Sequence, residues 1–229
     1  MKVLVIDVGG TTVKFRAQGK RARREFLSGK QMTPEKMVTA VLDMTGDWKY
    51  NAVSIGLPGP VIHGKAASDP PNLAPGWVGF DFEKRFKKPV KIMNDAAMQA
   101  LGSYRGGRML FIGLGTGLGS TMILDGVIVP LELGELMHQR SKVSEVLGKK
   151  AADHNRRAWR KAVGDVVRSL AAAFRTDYLV VGGGNVRLLG RLPVAARRGS
   201  NDNAFIGGAR LWDGGAITAQ PRKHTWVIT

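Results

Sequence analysis

KIMNDAAMQALGSYRGGRMLFIGLGTGLGS, residues 91–120, brings two kinds of chemistry close together in the chain. A short apolar strand, Val90–Met93, ends in Asn94-Asp95, and Ala96, Ala97, Met98, Ala100 and Leu101 follow as a helix-like run. A second apolar run, Met109–Ile112, enters the glycine-rich turn Gly113-Leu-Gly-Thr-Gly-Leu-Gly-Ser120. A carboxylate at a strand end faces open space and can touch a substrate. A glycine-rich turn after a strand leaves backbone N–H groups free to hold phosphate oxygens. Asp95 as a base and the glycine turn as a cradle suit phosphoryl transfer to a hydroxyl, which depends on positioning and charge stabilisation. Each feature also has a plain structural reading, with Asp95 as a helix N-cap and the glycines as a hairpin turn.

The strand-to-glycine pattern also occurs at the N-terminus. Val3–Ile6 reads as a buried strand running into Asp7-Val-Gly-Gly-Thr-Thr12, with Val13–Arg16 as the returning strand. Gly9 and Gly10 permit a tight turn, and Thr11 and Thr12 offer hydroxyl and backbone donors. Lys14 could reach a phosphate, and Asp7 could orient a hydrated magnesium ion; such hairpins are also common without a ligand. Arg24–Leu27 reads as a further strand. Thr33-Pro34-Glu35 starts a helix whose apolar face is Met37, Val38, Val41 and Leu42 and which Gly46 ends. Ala52–Ile55 is a strand followed by Gly56-Leu-Pro-Gly-Pro60, a turn that brings main chain at Gly59 close to a ligand or another loop. Residues 61–79 lack periodicity and contain Asn72, an ordinary turn cap on its own. Phe80–Phe86 reads as a short basic helix.

On the other side, Ser120–Leu124 and Val127–Val129 read as a hairpin across Asp125-Gly126. Glu132 and Glu135 stand on a loop beyond a strand, where they could bind sugar hydroxyls or be surface charge. Residues 139–158 are basic and weakly patterned. Trp159–Phe174 is a helix, with Trp159, Val163, Val166, Val167, Leu170 and Phe174 at helical spacing. Tyr178–Val181 is a buried strand leading into Gly182-Gly-Gly-Asn185, a third strand-to-glycine turn. A short helix, an apolar Leu192–Val194 and a closing helix Ala204–Trp212 follow, and residues 213–229 read as a tail. Each half begins with strand, glycine turn and returning strand, Val3–Arg16 and then Met109–Leu124. This points to an internal duplication with a cleft between the halves.

The chain's 229 residues, 44% of them hydrophobic, suffice for one or two small domains with a proper core. Without cysteines there is no disulfide framework or thiolate zinc site, and a reducing compartment fits. The apolar run in MKVLVIDV is too short for a signal peptide, no segment has the length of a membrane span, and a cytoplasmic location is expected. The net charge is +17, from 35 Lys+Arg against 18 Asp+Glu. The basic residues recur at Lys20–Arg24, Lys84–Lys88, Arg105–Arg108, Lys149–Lys161 and Arg197–Arg198, a surface that either attracts polyanions or is simply solvated.

Asp7-Val-Gly-Gly-Thr-Thr, Gly56-Leu-Pro-Gly, Asn94-Asp95-Ala96, Leu114-Gly-Thr-Gly-Leu-Gly-Ser, Glu132-Leu-Gly and Val181-Gly-Gly-Gly stand in the order found in sugar kinases of the ROK family. The chain resembles most the polyphosphate glucokinase branch, through Lys14, through Asn72-Leu followed by Trp77, and through the compact end at Asn201–Trp212. The resemblance covers most of residues 1–212. It implies an α/β, actin/hexokinase-like (ribonuclease H-like) duplicated fold with two lobes around a cleft, residues 1–94 and 95–212, the last helix packing back on the first lobe. It implies a kinase acting on the 6-hydroxyl of glucose or a similar hexose, with Asp95 as general base. Asn72, Asn94 and Glu132 would bind sugar hydroxyls, with Gly59 and Glu135 alongside. Gly9, Gly10, Thr11 and Thr12, with Lys14, and Gly115, Thr116 and Gly117 would hold donor phosphates. Gly182, Gly183 and Gly184 would border the donor end, and Asp7 would help place Mg2+, the expected cofactor. Inorganic polyphosphate is the expected donor, which would give the basic surface a purpose; ATP is the alternative. A homodimer is also implied. The branch usually has Glu-x-Gly-His where this chain has Glu132-Leu-Gly-Glu135, with His138 three residues later, so a sugar ligand is altered or displaced. An inactive relative that binds polyanions or sugar is the reading from another class. Repressors of the family carry a helix-turn-helix ahead of the kinase-like part; with a first strand at Val3, none is expected here, and neither is a specific nucleic-acid or membrane partner.

Overall fold

The computed structural model describes residues 1–192 and 196–213, and the backbone of Ile217–Thr218. The first half runs β1 (Val3–Val8), β2 (Thr12–Ala17), β3 (Arg24–Leu27), α1 (Pro34–Met44), β4 (Ala52–Leu57), a small hairpin of β5 (Val61–Ile62) and β6 (Lys65–Ala66), α2 (Phe82–Phe86) and β7 (Val90–Asn94). Its sheet has the order β3-β2-β1-β4-β7. The pairs β1–β2 and β2–β3 are antiparallel; β4 lies parallel to β1, and β7 parallel to β4. The second half runs α3 (Asp95–Ser103), β8 (Arg108–Leu114), β9 (Leu118–Leu124), β10 (Val127–Leu131), a 3-10 turn Leu133–Glu135, the hairpin β11 (Met137–His138) and β12 (Ser141–Lys142), α4 (Val143–Leu147), α5 (Lys149–His154), α6 (Arg156–Phe174), β13 (Tyr178–Gly182), a 3-10 turn Gly184–Leu188, β14 (Ala196–Arg198), α7 (Asn203–Arg210) and β15 (Ile217–Thr218). Its sheet has the order β14-β13-β8-β9-β10-β15. Read from β10, the strands β10-β9-β8-β13-β14 repeat β3-β2-β1-β4-β7 in order and in direction. The repeated strand–glycine–strand pattern is therefore a repeated α/β unit, and the whole is an actin/hexokinase-like fold.

Side-chain pattern accounts for the layers. β4 is buried along its whole length, as a central parallel strand covered on both faces must be. β2 alternates, with Val13, Phe15 and Ala17 inward and Thr12, Lys14 and Arg16 toward the other face. The α1 helix starts where Thr33 accepts from Lys36 N, with Pro34 in the first turn, and it buries Met37, Val38 and Val41. Asn155 caps α6 by accepting from Ala158 N, and the left-handed Arg175 (φ 48) ends it. That helix buries Trp159, whose Nε1 donates to Leu147 O at 2.9 Å.

Between the two sheets lies a core of its own. Val3 and Val5 of β1, Met98 and Leu101 of α3, Met109 and Phe111 of β8, and Phe205 of α7 share it. Helices α3 and α7 cross there almost backbone to backbone. A Cβ on Gly102 would sit 1.8 Å from Asn203 O, and one on Gly207 would sit 1.8 Å from Met98 O. Helix α7 also packs back on the first sheet: Ser54 Oγ of β4 donates to Gly208 O at 2.7 Å and accepts from Trp212 Nε1 at 2.9 Å.

Several boundaries differ from the sequence expectation. β1 and β4 run on to Val8 and Leu57, because backbone pairing continues past the point where apolar periodicity stops at Asp7 and Gly56. Residues 139–158, weakly patterned, form the short helices α4 and α5, and α6 begins at its Asn155 cap rather than at Trp159. α2 starts at Phe82, where Asp81 caps it. The closing helix is Asn203–Arg210. Leu192 is in no strand, Val194 lies outside the described residues, and the edge strand is Ala196–Arg198. Of the expected tail, Ile217–Thr218 pairs in parallel with Val127–Ile128 of β10, and residues 214–216 and 219–229 lie outside the described residues.

Candidate active site

A cleft of about 1610 Å³ opens between the halves, where the glycine turns after β1, β4, β8 and β13 meet the start of α3. Parallel pairing of β7 with β4 sets Asn94 opposite Leu57, so α3 starts at the level of the Gly56–Pro60 turn. Asn94 is the helix cap: its Oδ1 accepts from Ala97 N at 3.1 Å, and its Nδ2 donates to Gly59 O at 3.0 Å. Both ends of that carboxamide are thus engaged within the protein. The cap role considered for Asp95 falls to its neighbour instead. Asp95, the first helical residue, lines the cleft and accepts from backbone amides at the helix start, with Ala96 N at 2.8 Å.

Asp95 feels the charge of two other carboxylates. Burial pushes the Asp95 carboxyl up to about 7, with the Asp7 charge adding to the rise and Glu132 adding less, against the neighbouring backbone amides. Burial likewise raises Asp7 to about 6, opposed by Lys14, which the β1–β2 register places directly across from it. The helix N-terminus favours an anion, but enclosure and like charge outweigh it at Asp95.

The first glycine turn is closed by Gly9 N donating to Thr12 O at 3.0 Å and by Ser28 Oγ donating to Gly9 O at 2.6 Å. Gly9, Gly10 and Lys14 line the cleft; Thr11 and Thr12 do not. A Cβ on Gly10 would lie 2.9 Å from Asn72 Cβ, so a bare glycine there lets the Asn72 loop close over the turn. The second turn, Gly115–Gly117, lines the cleft opposite and is held from behind. Gly115 O accepts from Asn185 Nδ2 at 2.7 Å and from Lys149 N at 3.1 Å. Gly183 (φ 81) presses against the Leu114 backbone, where a Cβ would be 2.4 Å from Leu114 O. Gly183 and Gly184 line the cleft, whereas Gly182 is buried over the Phe111 ring.

Gly59, Asn72, Glu132 and Glu135 also line the cleft. Glu135 Oε2 accepts from Lys142 Nζ at 2.6 Å, an exposed ion pair. His138 lies in β11 opposite Ser141. The sequence reading passed over Gln99, Asn185 and Lys142. Gln99 had a signal, since it stands one turn after Asp95 on the same helix face; Lys142 sits in a stretch without periodicity and had none. Among the described residues no cluster of three or more His, Cys, Asp or Glu could hold a metal. Asp7, one of the carboxylates that line the cleft, stands beside the Gly9–Gly10 turn and nevertheless fits Mg2+, which usually takes one or two carboxylates and completes its shell with phosphate oxygens and water.

Comparison with known proteins gives one consistent picture. The profile of the ROK family matches residues 3–130. The polyphosphate glucokinase of Mycobacterium tuberculosis (strain CDC 1551 / Oshkosh) is 25% identical over 89% of this chain and 88% of its own length. The kanosamine kinase of Amycolatopsis mediterranei (strain S699) is 28% identical over 64% of this chain and 56% of its own length. Among solved structures, the inorganic polyphosphate/ATP-glucomannokinase from Arthrobacter sp. strain KM superposes with a TM-score of 0.76 at 25% identity, over 92% of this chain and 97% of the other. A ROK family glucokinase from Streptomyces griseus, solved with glucose and AMPPNP, shares the fold with a TM-score of 0.75 at 17% identity, over 92% and 99%.

Proposed function

The chain belongs to the ROK family, and on that premise we propose that it transfers a phosphoryl group from inorganic polyphosphate to the 6-hydroxyl of glucose or a similar hexose. The coarser statement, a hexose kinase and thus a phosphotransferase with an alcohol acceptor, follows from its relatives. The observation that carries the finer reading is Asp95, set at the start of α3 and lining the cleft that Gly9–Gly10 and Gly115–Gly117 also line. In this reading the Asp95 carboxylate takes the proton of the hexose hydroxyl as its oxygen attacks the terminal phosphorus. One O–P bond forms, the bond to the rest of the donor breaks, and the shortened chain leaves. Asn72, Glu132 and Glu135, with the Gly59 main chain, face the sugar. Asn94, which also lines the cleft, holds Gly59 O and the helix start and turns its second N–H to the sugar. Gly9, Gly10, Lys14, Gly115, Thr116, Gly117, Gly183 and Gly184 face the donor. Thr11, Thr12 and Gly182 support those turns from outside the lining. Asp7 would hold Mg2+, which when bound offsets the charge of the donor phosphates.

We assign residues 1–94 and 95–212 to the two lobes, with α7 fastening the second to the first. The net charge of +17 supports a long polyanion as donor, because such a chain needs positive surface beyond a three-phosphate pocket. No helix among the described residues is long and apolar enough to cross a membrane; a cytoplasmic homodimer belongs to the same reading, and light scattering on the purified chain checks the dimer.

The direct experiment is a coupled assay for glucose 6-phosphate with polyphosphate and with ATP in parallel, each with Mg2+. Turnover with polyphosphate is expected. Turnover with ATP alone would keep the kinase and remove the charge argument. Silence with both donors across several hexoses would sink the reading and favour a binding role. Glu135→Ala is expected to raise the hexose KM several-fold and leave the donor KM unchanged; if neither moves, Glu135 is surface charge paired with Lys142.

A further inference from the structure

The second phosphate turn is backed by a loop rich in arginine and free of carboxylates: residues 183–198 hold four arginines and no Asp or Glu. Asn185 Nδ2 of this loop donates to Gly115 O at 2.7 Å, and Gly183 and Gly184 just before it line the cleft. The next residue, Val186, accepts at its main-chain oxygen from Arg198 Nη1 at 2.7 Å. Arg198 Nη2 donates to Gly190 O at 2.7 Å, and Arg160 Nε of α6 donates to Leu188 O at 2.7 Å. Arg160 Cζ and Nη2 also lie 4.0 Å from where a Cβ on Gly190 would be. Two guanidinium groups therefore flank Gly190, on the loop that touches the second turn. Both arginines are exposed. Among the described residues neither takes part in an ion pair, whereas Arg24, Arg108 and Arg168 do.

Neutral carbonyls fix the direction of both groups without cancelling their charge. A guanidinium has five N–H donors. Arg198 gives two of them to the loop and Arg160 one, which leaves three and four for a ligand. Like charges held beside one another repel, and an anion that bridges them relieves the repulsion. A guanidinium fork matches phosphate oxygens two at a time, and every unit of a polyphosphate chain carries such oxygens. The reacting phosphates belong to the glycine turns. Beyond them a nucleoside triphosphate ends in an uncharged nucleoside, which offers no anion to a second cationic pair, whereas an inorganic polyphosphate continues. We propose that Arg160 and Arg198 clamp the part of the polyphosphate chain that lies beyond the phosphates held by the glycine turns. This rests on the kinase reading with polyphosphate as donor.

The test compares long-chain polyphosphate, tripolyphosphate and ATP as donors for the full chain, with glucose and Mg2+, at equal molar concentrations of donor molecules. Wild type is set beside Arg160→Gln, Arg198→Gln and the double variant; glutamine keeps an N–H donor for a loop carbonyl and removes the charge. Wild type is expected to have a lower KM for long-chain polyphosphate than for tripolyphosphate. Each single variant should raise the long-chain KM about fivefold, the effect of a charge-assisted hydrogen bond reduced by solvent and salt. The double variant should raise it further and make it less steeply dependent on salt. The KM values for tripolyphosphate, ATP and glucose should stay within about twofold. Arginines that only hold the loop would change all donors together, because the same loop holds Gly115. If the double variant melts well below wild type, Arg160→Gln, which gives up one carbonyl bond, decides by the same comparison. An unchanged long-chain KM, equal losses with long chains and tripolyphosphate, a loss confined to ATP, or a wild type without preference for long chains would overturn the clamp while the kinase reading stands. Wild-type turnover with ATP alone would remove polyphosphate as donor and the clamp with it. Silence with all three donors would overturn the kinase reading as well.

Discussion

Asp95→Asn is expected to cut turnover by about a hundred- to ten-thousand-fold, the usual contribution of a positioned general base, and to leave a folded protein that still binds hexose. Asparagine keeps the shape and the acceptor for Ala96 N but cannot take a proton. With Asp95 at about 7, the wild-type kcat/KM should fall roughly tenfold per pH unit below neutrality, because the base works only as the carboxylate. The mutant's residual rate should lack that limb. Stability moves in the opposite sense. The folded-state value lies above the ordinary 3.8, so the native protein binds more protons than the unfolded chain, and stability declines as pH rises from about 4 to about 7. The full shift would correspond to roughly 4 kcal/mol, and access of solvent to the cleft and the shared charge of Asp7 reduce that to about 2 kcal/mol. Asp95→Asn should therefore raise Tm by about 4–8 °C at pH 8 and by less at pH 5. Thermal melts at the two pH values, beside initial rates, check both halves. A variant with near-wild-type turnover would remove Asp95 from the chemistry.

Gly207→Ala is expected to destabilise the protein by about 3 kcal/mol, the upper part of the range for overpacking, with a fall in Tm of roughly 6–12 °C. Helix propensity alone predicts a gain of nearly 1 kcal/mol for this change, so the sign separates the two effects. The added methyl would lie 1.8 Å from Met98 O, a main-chain atom that cannot move without shifting α3. Gly164→Ala is the matched control. It lies inside α6 with only the end of the Arg168 side chain, 3.5 Å away, in reach of a Cβ, and it should stabilise by about 0.5–1 kcal/mol. Because α3 carries Asp95 at its start and α7 is bonded to β4 through Ser54 and Trp212, Gly207→Ala should also disturb the seating of Asp95 and lower kcat. A stable, fully active Gly207→Ala would mean that the crossing has slack the distances do not show.

The strands that flank the glycine turns, the apolar faces of α1 and α6 and the repeat of one unit were legible in residues 1–212, because each is written in local periodicity and in turn residues. The direction of the chemistry was legible only from the six motifs taken together as a resemblance, since a carboxylate at a strand end and a glycine turn each also serve as an ordinary cap and hairpin. Which of Asn94 and Asp95 caps α3 was not legible, because both types can cap and the choice depends on Gly59 O being in reach of Asn94 Nδ2. The pairing of Lys14 with Asp7 came from strand register, and the raising of Asp7 by burial and of Asp95 by burial and the Asp7 charge came from an enclosure that only two assembled sheets create. Ile217–Thr218 pairs with β10, although two β-branched residues are too short a run to read as a strand. That the closing helix packs closely was readable in Gly207-Gly208, but that Gly207 meets α3 beside Gly102, about a hundred residues away in the chain, came only with the contact itself. Local pattern determined the elements and the residue types at their ends. Long-range packing alone decided which side chains meet, which carboxylates share a field, and which acceptor, Gln99 Oε1, is left without a partner, because those depend on distances between segments that no short-range preference sets.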